Sequence, residues 1–125
     1  MSNREGAHSP EDLARMFVER ANAGDAAGVA ALYEPEAVMA YPPGSQTAGR
    51  EAIRALWEKM LATRPHMEQE TSLPTLISGD LALTATTAKD GAGARAQVCR
   101  RQPDGIWLRL LDLPEFVPVQ TSPAI

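Results

Sequence analysis

VMAYPPGS, residues 38–45, is the stretch on which the reading of this chain turns. Val38 to Tyr41 is a short apolar strand, and Pro42-Pro43-Gly44 cannot continue a ladder, so the chain must turn there. An amphipathic helix follows at once. From about Gly49 to Thr63, Ile53, Leu56, Trp57, Met60 and Leu61 recur at helical spacing, and Arg64-Pro65 closes the segment. A short strand that turns into a helix, with helices before it and strands after it, predicts a curved sheet closing over its helices like a cup. The functional question is then which polar groups point into the cup.

Upstream, Ser9-Pro10-Glu11-Asp12 carries the signals of a helix start: serine as cap, proline in the first turn, acids at the positive end of the dipole. Leu13, Met16, Phe17 and Ala21 share one face of this first helix, and Asn22-Ala23-Gly24 stops it. Asp25 caps a second helix with Val29, Leu32 and Tyr33 inward, and Pro35 ends it. Downstream the pattern is β-rich. Residues 66–78 alternate weakly, with Pro74 at an edge or bend. Residues 80–89 read as a strand, Asp90-Gly91-Ala92-Gly93 as a turn and 94–102 as a polar strand. Pro103-Asp104-Gly105 makes a tight hairpin. IWLRLLDL, 106–113, is a hydrophobic last strand, central in the sheet and ended by Pro114. The class is α+β, with three N-terminal helices packed on a curved, mostly antiparallel sheet.

The 125 residues suit a single domain over 9–117, with loose tails at 1–8 and 118–125. A net charge of −4 without a basic block argues against nucleic acid as partner. No apolar run reaches membrane-span length, and the polar N-terminus lacks a signal-peptide core, which points to the cytoplasm. One cysteine, Cys99, cannot form an internal disulfide, in keeping with a reducing compartment.

The run RMFVERANAGDAAGVAALYEPEAVMAYPPGSQTAGREAIRALWEKML resembles the N-terminal half of ketosteroid-isomerase-like proteins, within the nuclear-transport-factor-2-like (SnoaL-like) superfamily. The marks are Asn22-Ala23-Gly24-Asp25, the strand into Pro42 and Gly44, and Gly49-Arg50-Glu51-Ala52-Ile53; Asp104-Gly105-Ile106-Trp107 with Asp112 resembles the last hairpin. The resemblance implies a cone-shaped α+β barrel around a hydrophobic cavity for a small carbonyl-type or polyketide-like molecule, with no cofactor. It also implies a homodimer through the convex sheet face, with Trp107, Arg109 and Leu111 at or near the interface. This fold hosts isomerases, cyclases, hydratases and non-catalytic binders alike.

The isomerase groups themselves are replaced. The helix-1 tyrosine matches Phe17, which has no donor; the carboxylate base before the Pro-x-Gly turn matches Tyr41; the later-strand aspartate falls near Gln97. An unactivated phenol is a poor base, so standard ketosteroid isomerase chemistry is not expected.

Asp112 is the sharpest candidate for chemistry. Strict alternation puts Leu108, Leu110 and Asp112 on one face and Trp107, Arg109 and Leu111 on the other. By resemblance the first set faces the cup, where an apolar surround suits a carboxyl group to acid–base work. SnoaL-like cyclases use an aspartate in this general region. The competing reading is structural: Asp112 caps a loop or pairs with an arginine such as Arg95. Tyr41 would donate to a substrate carbonyl or rest as a wall residue, and Gln97 would hold the oxygen. If Gln97 points inward, Arg95 and Cys99 share its side, and an inward Arg95 would favour an anionic ligand; the alternative is a solvated strand at a dimer interface. Phe17, Met39, Trp57, Met60, Leu83, Ala85, Arg95, Cys99, Leu108 and Leu110 complete the expected pocket lining. His8 and His66 have no partners at ligand spacing, so no metal is expected. Glu68 and Glu70 read as a solvated face, and Gly91-Ala92-Gly93 as a turn rather than a dinucleotide fingerprint.

Overall fold

Three helices, α1 (Pro10–Asn22), α2 (Ala26–Ala30) and α3 (Arg50–Leu61), pack on one face of a seven-stranded sheet. The strands are β1 (Tyr33–Met39), β2 (Thr47–Ala48), β3 (Thr71–Ser72), β4 (Leu76–Ser78), β5 (Leu81–Thr87), β6 (Ala94–Arg101) and β7 (Trp107–Phe116). This computed structural model describes residues 6–63, 66–87 and 93–116, with side chains through Pro114. The expected turn at 90–92, the Arg64-Pro65 stop and the C-terminal tail at 118–125 lie outside the described residues.

The strand order is β2-β1-β7-β6-β5-β3, with β4 also paired to β5. Among the described residues only β1 and β7 run parallel; the other pairs are antiparallel. The sheet is curved and unclosed, so the helices rather than strand pairing complete the cone. As expected, β7 is central. Helix α3 buries Ile53, Trp57 and Leu61, the inner edge of its sequence stripe. Gly24 takes a positive φ of 73° just after α1, and Gly105 one of 87° in the last hairpin, so both turns sit where the sequence places them.

Several boundaries differ from expectation, and the strand read at Val38–Tyr41 already ends at Met39. The Ser9 side chain makes no cap bond; instead the Asp12 carboxylate accepts the His8 amide at 3.1 Å. Helix α2 stops at Ala30, and Leu32 and Tyr33 leave it, with β1 beginning at Tyr33 and running through Pro35. The proline is tolerated because the β1–β7 register breaks between Tyr33 and Val38, where a missing N–H costs no ladder bond. Likewise β7 runs through Pro114, past its last β1 partner, Met39 opposite Asp112, and beside an irregularity in its pairing with β6. The segment expected to be loose at 1–8 is anchored at its inner end: Ala7 is fully buried and accepts the Trp107 amide at 2.9 Å.

Two apolar clusters form the core. One joins α2, α3 and β1 through Val29, Ala37, Met39, Ile53, Trp57 and Leu61. The other joins α1 to β5, β6 and β7 through Leu13, Met16, Ala82, Cys99 and Trp107. Phe17 packs against both.

The most consequential departure is a bulge in β7. Val98 opposes Leu111 and Cys99 opposes Arg109, so Leu110 is an extra residue with no partner on β6. An extra residue reverses side-chain parity beyond it. Trp107 and Arg109 therefore face the helices before the bulge, and Asp112 does so after it. All three are buried, at 6%, 4% and 5% exposure, whereas Leu111 is 47% exposed. The expected interface position of Trp107 and Arg109 is thus corrected, and so is the inward position of Leu108 and Leu110. Leu111 does lie on the outer face.

Candidate functional site

The register builds the site as one transverse row. Met39 opposes Asp112 across β1 and β7, Asp112 opposes Gln97 across β7 and β6, and Gln97 opposes Thr84 across β6 and β5. Neighbours in register point to the same face, so four strands deliver these four side chains to the concave side.

Hydrogen bonds fix their orientation. Thr84 Oγ1 donates to Gln97 Oε1 at 2.9 Å, which turns the Gln97 amide so that Nε2 donates to Asp112 Oδ1 at 3.2 Å. From the start of β1, Tyr33 Oη donates to Asp112 Oδ2 at 2.5 Å. The Tyr33 carbonyl in turn accepts Arg50 Nε at 2.9 Å and Nη2 at 2.7 Å, so the first turn of α3 holds this strand end in place. Arg109 Nη1 stands 3.9 Å from Asp112 Oδ2. Its guanidinium carbon lies 4.9 Å from the Phe17 ring centre and 5.8 Å from that of Tyr33, within cation–π range of both.

The electrostatics follow from burial. Burial first, and then the Asp112 charge, push the Tyr33 phenol far above the ordinary tyrosine range, with Arg109 pulling the other way. Tyr33 is therefore a hydrogen-bond donor at every physiological pH. Burial works against the Arg109 cation, but Tyr33, Asp112 and Cys99 outweigh it and raise Arg109 above the usual arginine value. Burial raises the Cys99 thiol despite the opposing pull of Arg109, which leaves it a neutral packing group.

Of these groups Met39, Gln97, Arg109 and Asp112 line a concave pocket of about 630 Å³, within the usual range for small-molecule sites, while Tyr33 is buried behind them. Phe17, Met39, Trp57 and Met60 supply apolar wall, and Tyr41, Arg95, Gln97, Arg109 and Asp112 polar lining. Leu83, Ala85, Leu108 and Leu110 are not among the lining residues. On β5, Ala82, Thr84 and Thr86 face their inward β6 partners Cys99, Gln97 and Arg95, which leaves Leu83 and Ala85 on the opposite face. Cys99 points inward but is sealed in the core beneath α1.

Of the candidates read from sequence, Asp112 and Gln97 are brought together. Tyr41 lines the same pocket, but Tyr33 is the phenol that reaches Asp112. Arg95 is committed to Glu70 in a bidentate pair at 2.8 and 2.7 Å and to the Pro114 carbonyl at 2.8 Å. Glu70 is therefore part of the pocket rim rather than of a solvated face. Asn22 pins that rim by exchanging two 2.8 Å hydrogen bonds with the backbone of Met67. Tyr33 and Arg109 were missed, each behind a local irregularity: Pro35 marks a helix end by the usual rule, and the bulge at Leu110 carries no residue signature. No group of three or more potential metal ligands occurs among the described residues.

Comparison with known proteins agrees with this architecture. The family model of the SnoaL-like domain matches residues 14–107. A search of curated proteins finds no match. Among solved structures, an NTF2-like protein with a cystatin-like fold from Novosphingobium aromaticivorans aligns with a TM-score of 0.67 at 19% identity, covering 89% of this chain and 80% of that one. A ketosteroid isomerase-like protein from Erwinia carotovora atroseptica aligns at 0.66 and 17% identity, covering 86% and 94%. A protein from Thiobacillus denitrificans named for a calcium/calmodulin-dependent protein kinase type II association domain aligns at 0.71 and 19%, covering 88% and 96%. Likeness at these identities speaks to fold alone. The family match spans most of the chain, and the chain belongs to the SnoaL-like domain family, on the NTF2-like fold.

Proposed function

We propose that this SnoaL-like domain binds a small carbonyl compound in the pocket and moves a proton on it without a cofactor, as an isomerase or cyclase of this fold would. The supporting observation is Asp112 in the pocket lining beside Gln97, held by hydrogen bonds from Gln97 and from Tyr33, which lies buried behind it. A carboxylate has about four acceptor directions, and two are taken by Tyr33 and Gln97. The others are free to accept a proton from a carbon next to a carbonyl. The C–H electron pair becomes the enolate double bond, the carbonyl oxygen takes the charge, and Asp112 returns the proton at another carbon. Tyr33 and Gln97 act here as positioning residues, and Tyr41 at the wall is the candidate donor to the carbonyl oxygen.

The experiment is α-hydrogen exchange of cyclic ketones and 1,3-diketones in D₂O, followed by NMR. Exchange above buffer that falls at least ~100-fold in Asp112→Asn is expected, since general acid–base catalysis contributes factors of this size. Exchange equal to buffer, or unchanged in the variant, overturns the catalytic reading. A second reading is a non-catalytic small-ligand carrier. It is favoured by the fact that both Asp112 oxygens already have protein donors, as a structural carboxylate would. Ligand retained unaltered without exchange would identify it.

We also infer a homodimer through the outer sheet face. Leu76, Leu83, Val98, Leu111 and Val38 form an unbroken apolar row across five strands. Leu76, Leu83 and Leu111 are 65%, 43% and 47% exposed in the isolated chain. An exposed apolar face of this kind fits a second copy of itself, and two structural relatives carry the name of an association domain.

A further inference from the structure

We infer that the ligand of this pocket is an anion, a carboxylate or a preformed enolate on a flat apolar body, and that Arg109 is its receptor. The inference rests on the reading of the pocket as a ligand site, but not on catalysis there. Among the described residues, only two buried side-chain polar atoms lack a hydrogen-bond partner, Arg109 Nε and Trp57 Nε1. Both are donors, both residues line the same pocket, and both pack against Phe17, Trp57 with ring centres 5.1 Å apart. The polar atoms left without a partner beside this pocket are therefore donors.

The imbalance is sharpest at Arg109. A guanidinium carries five N–H donors, yet this one meets two aromatic rings, the Tyr33 hydroxyl and Cys99 thiol, and one carboxylate oxygen 3.9 Å away, and its Nε has no partner. That oxygen, Asp112 Oδ2, is already served by Tyr33 at 2.5 Å, and Oδ1 by Gln97. Arg109 is 4% exposed, so bulk water does not make up the deficit. A buried cation whose donors outnumber its acceptors is costly, and a ligand oxygen that adds an acceptor recovers part of that cost on binding. The other arginine of the pocket cannot play this part, because Glu70 and Pro114 already occupy its nitrogens. Phe17, Met39, Trp57 and Met60 beside Arg109 offer a broad apolar surface, and the second cation of the lining, Arg95, is committed to Glu70 rather than to a polyanion. A single negative group on an aromatic or alicyclic body fits this set.

The test is calorimetric titration of the intact protein with matched pairs, 2-naphthoate against 2-naphthamide and phenylacetate against phenylacetamide. Each pair has nearly the same shape and differs in charge. The carboxylates are expected to bind at least about tenfold tighter, about 1.4 kcal/mol. Arg109→Met is expected to remove the preference while retaining amide binding, and Arg109→Lys to keep part of it. A merely structural arginine would lower stability and leave the carboxylate-to-amide ratio unchanged. Should Arg109→Met fail to fold, the wild-type ratio still decides: equal binding within each pair, or binding of neither carboxylate, overturns the inference. The exchange assay with Asp112→Asn reads a different property, so anion preference without exchange keeps this inference and removes only the catalytic one.

Discussion

Replacing Tyr33 by phenylalanine tests the built centre with the least disturbance. The ring keeps its place in the core, so the cavity term is that of one oxygen atom. What is lost is the 2.5 Å bond to Asp112 Oδ2, leaving that oxygen with Arg109 at 3.9 Å. A hydrogen bond to a charged partner contributes ~1.5–3 kcal/mol, and burial puts this one in the middle or upper part of that span. Tyr33→Phe is therefore expected to lower unfolding free energy by ~2 kcal/mol in urea titration at pH 7, or roughly 6–8 °C in Tm for a chain of this length. In an Asp112→Asn background the hydroxyl meets a neutral amide, and the same change should cost only ~1 kcal/mol. The coupling between the two positions would then be ~1 kcal/mol. Tyr41→Phe, whose phenol stands outside the network, should change stability by less than ~0.5 kcal/mol. A Tyr33→Phe cost no larger than that of Tyr41→Phe would refute the buried phenol–carboxylate pair.

Three further outcomes follow from other parts of the molecule. The Arg100 guanidinium first, with help from Gln102 and against burial, holds the Glu34 carboxyl below the usual carboxylate range. Its folded value lies below its unfolded value of about 4.3, so its contribution is present above that pH and is lost as pH falls through the folded value. Glu34→Gln should therefore cost ~1 kcal/mol at pH 7 and flatten the acid limb of stability below about pH 4, read from urea midpoints across pH; an unchanged acid limb would contradict the pairing. Leu111→Asp, on the 47% exposed outer row, should convert a dimer to a monomer in light scattering while the circular dichroism spectrum stays native; a dimer that survives would place the interface elsewhere. Cys99 is fully buried and its thiol is raised by burial, so a disulfide reagent should label it only as fast as the protein unfolds, whereas rapid native labelling would contradict its place under α1.

Much of the fold was legible because the deciding signals are local. The stripe Ile53, Trp57, Leu61 and the glycines at 24 and 105 report on their own neighbourhoods, and the structure uses them as read. The site was legible only in part. Asp112 and Gln97 sit opposite each other across β7 and β6, and the family resemblance rather than alternation pointed Asp112 inward, since alternation grouped it with Leu108 and Leu110. Arg109 lies three residues from Asp112, and strict alternation must place it on the other face. Only the unpaired Leu110 brings the two together, and a bulge depends on pairing with β6 rather than on a residue type. Tyr33 was hidden in the same way. Leu32, Tyr33 and Pro35 look like the end of a helix, and only the broken β1–β7 register makes room for a proline inside a strand. The pairing of Arg95 with Glu70 spans two separate strand regions and has no sequence pattern at all.

The most direct measurement is the ionisation of Tyr33 in the folded protein, followed by ring-carbon NMR as pH is raised. Burial against the Asp112 carboxylate should keep this phenol un-ionised beyond the ordinary value of about 10 for as long as the fold persists. A Tyr33 that titrates at the ordinary value while the protein remains folded would mean that the phenol and the carboxylate do not meet, and the pocket floor would lose its organising pair.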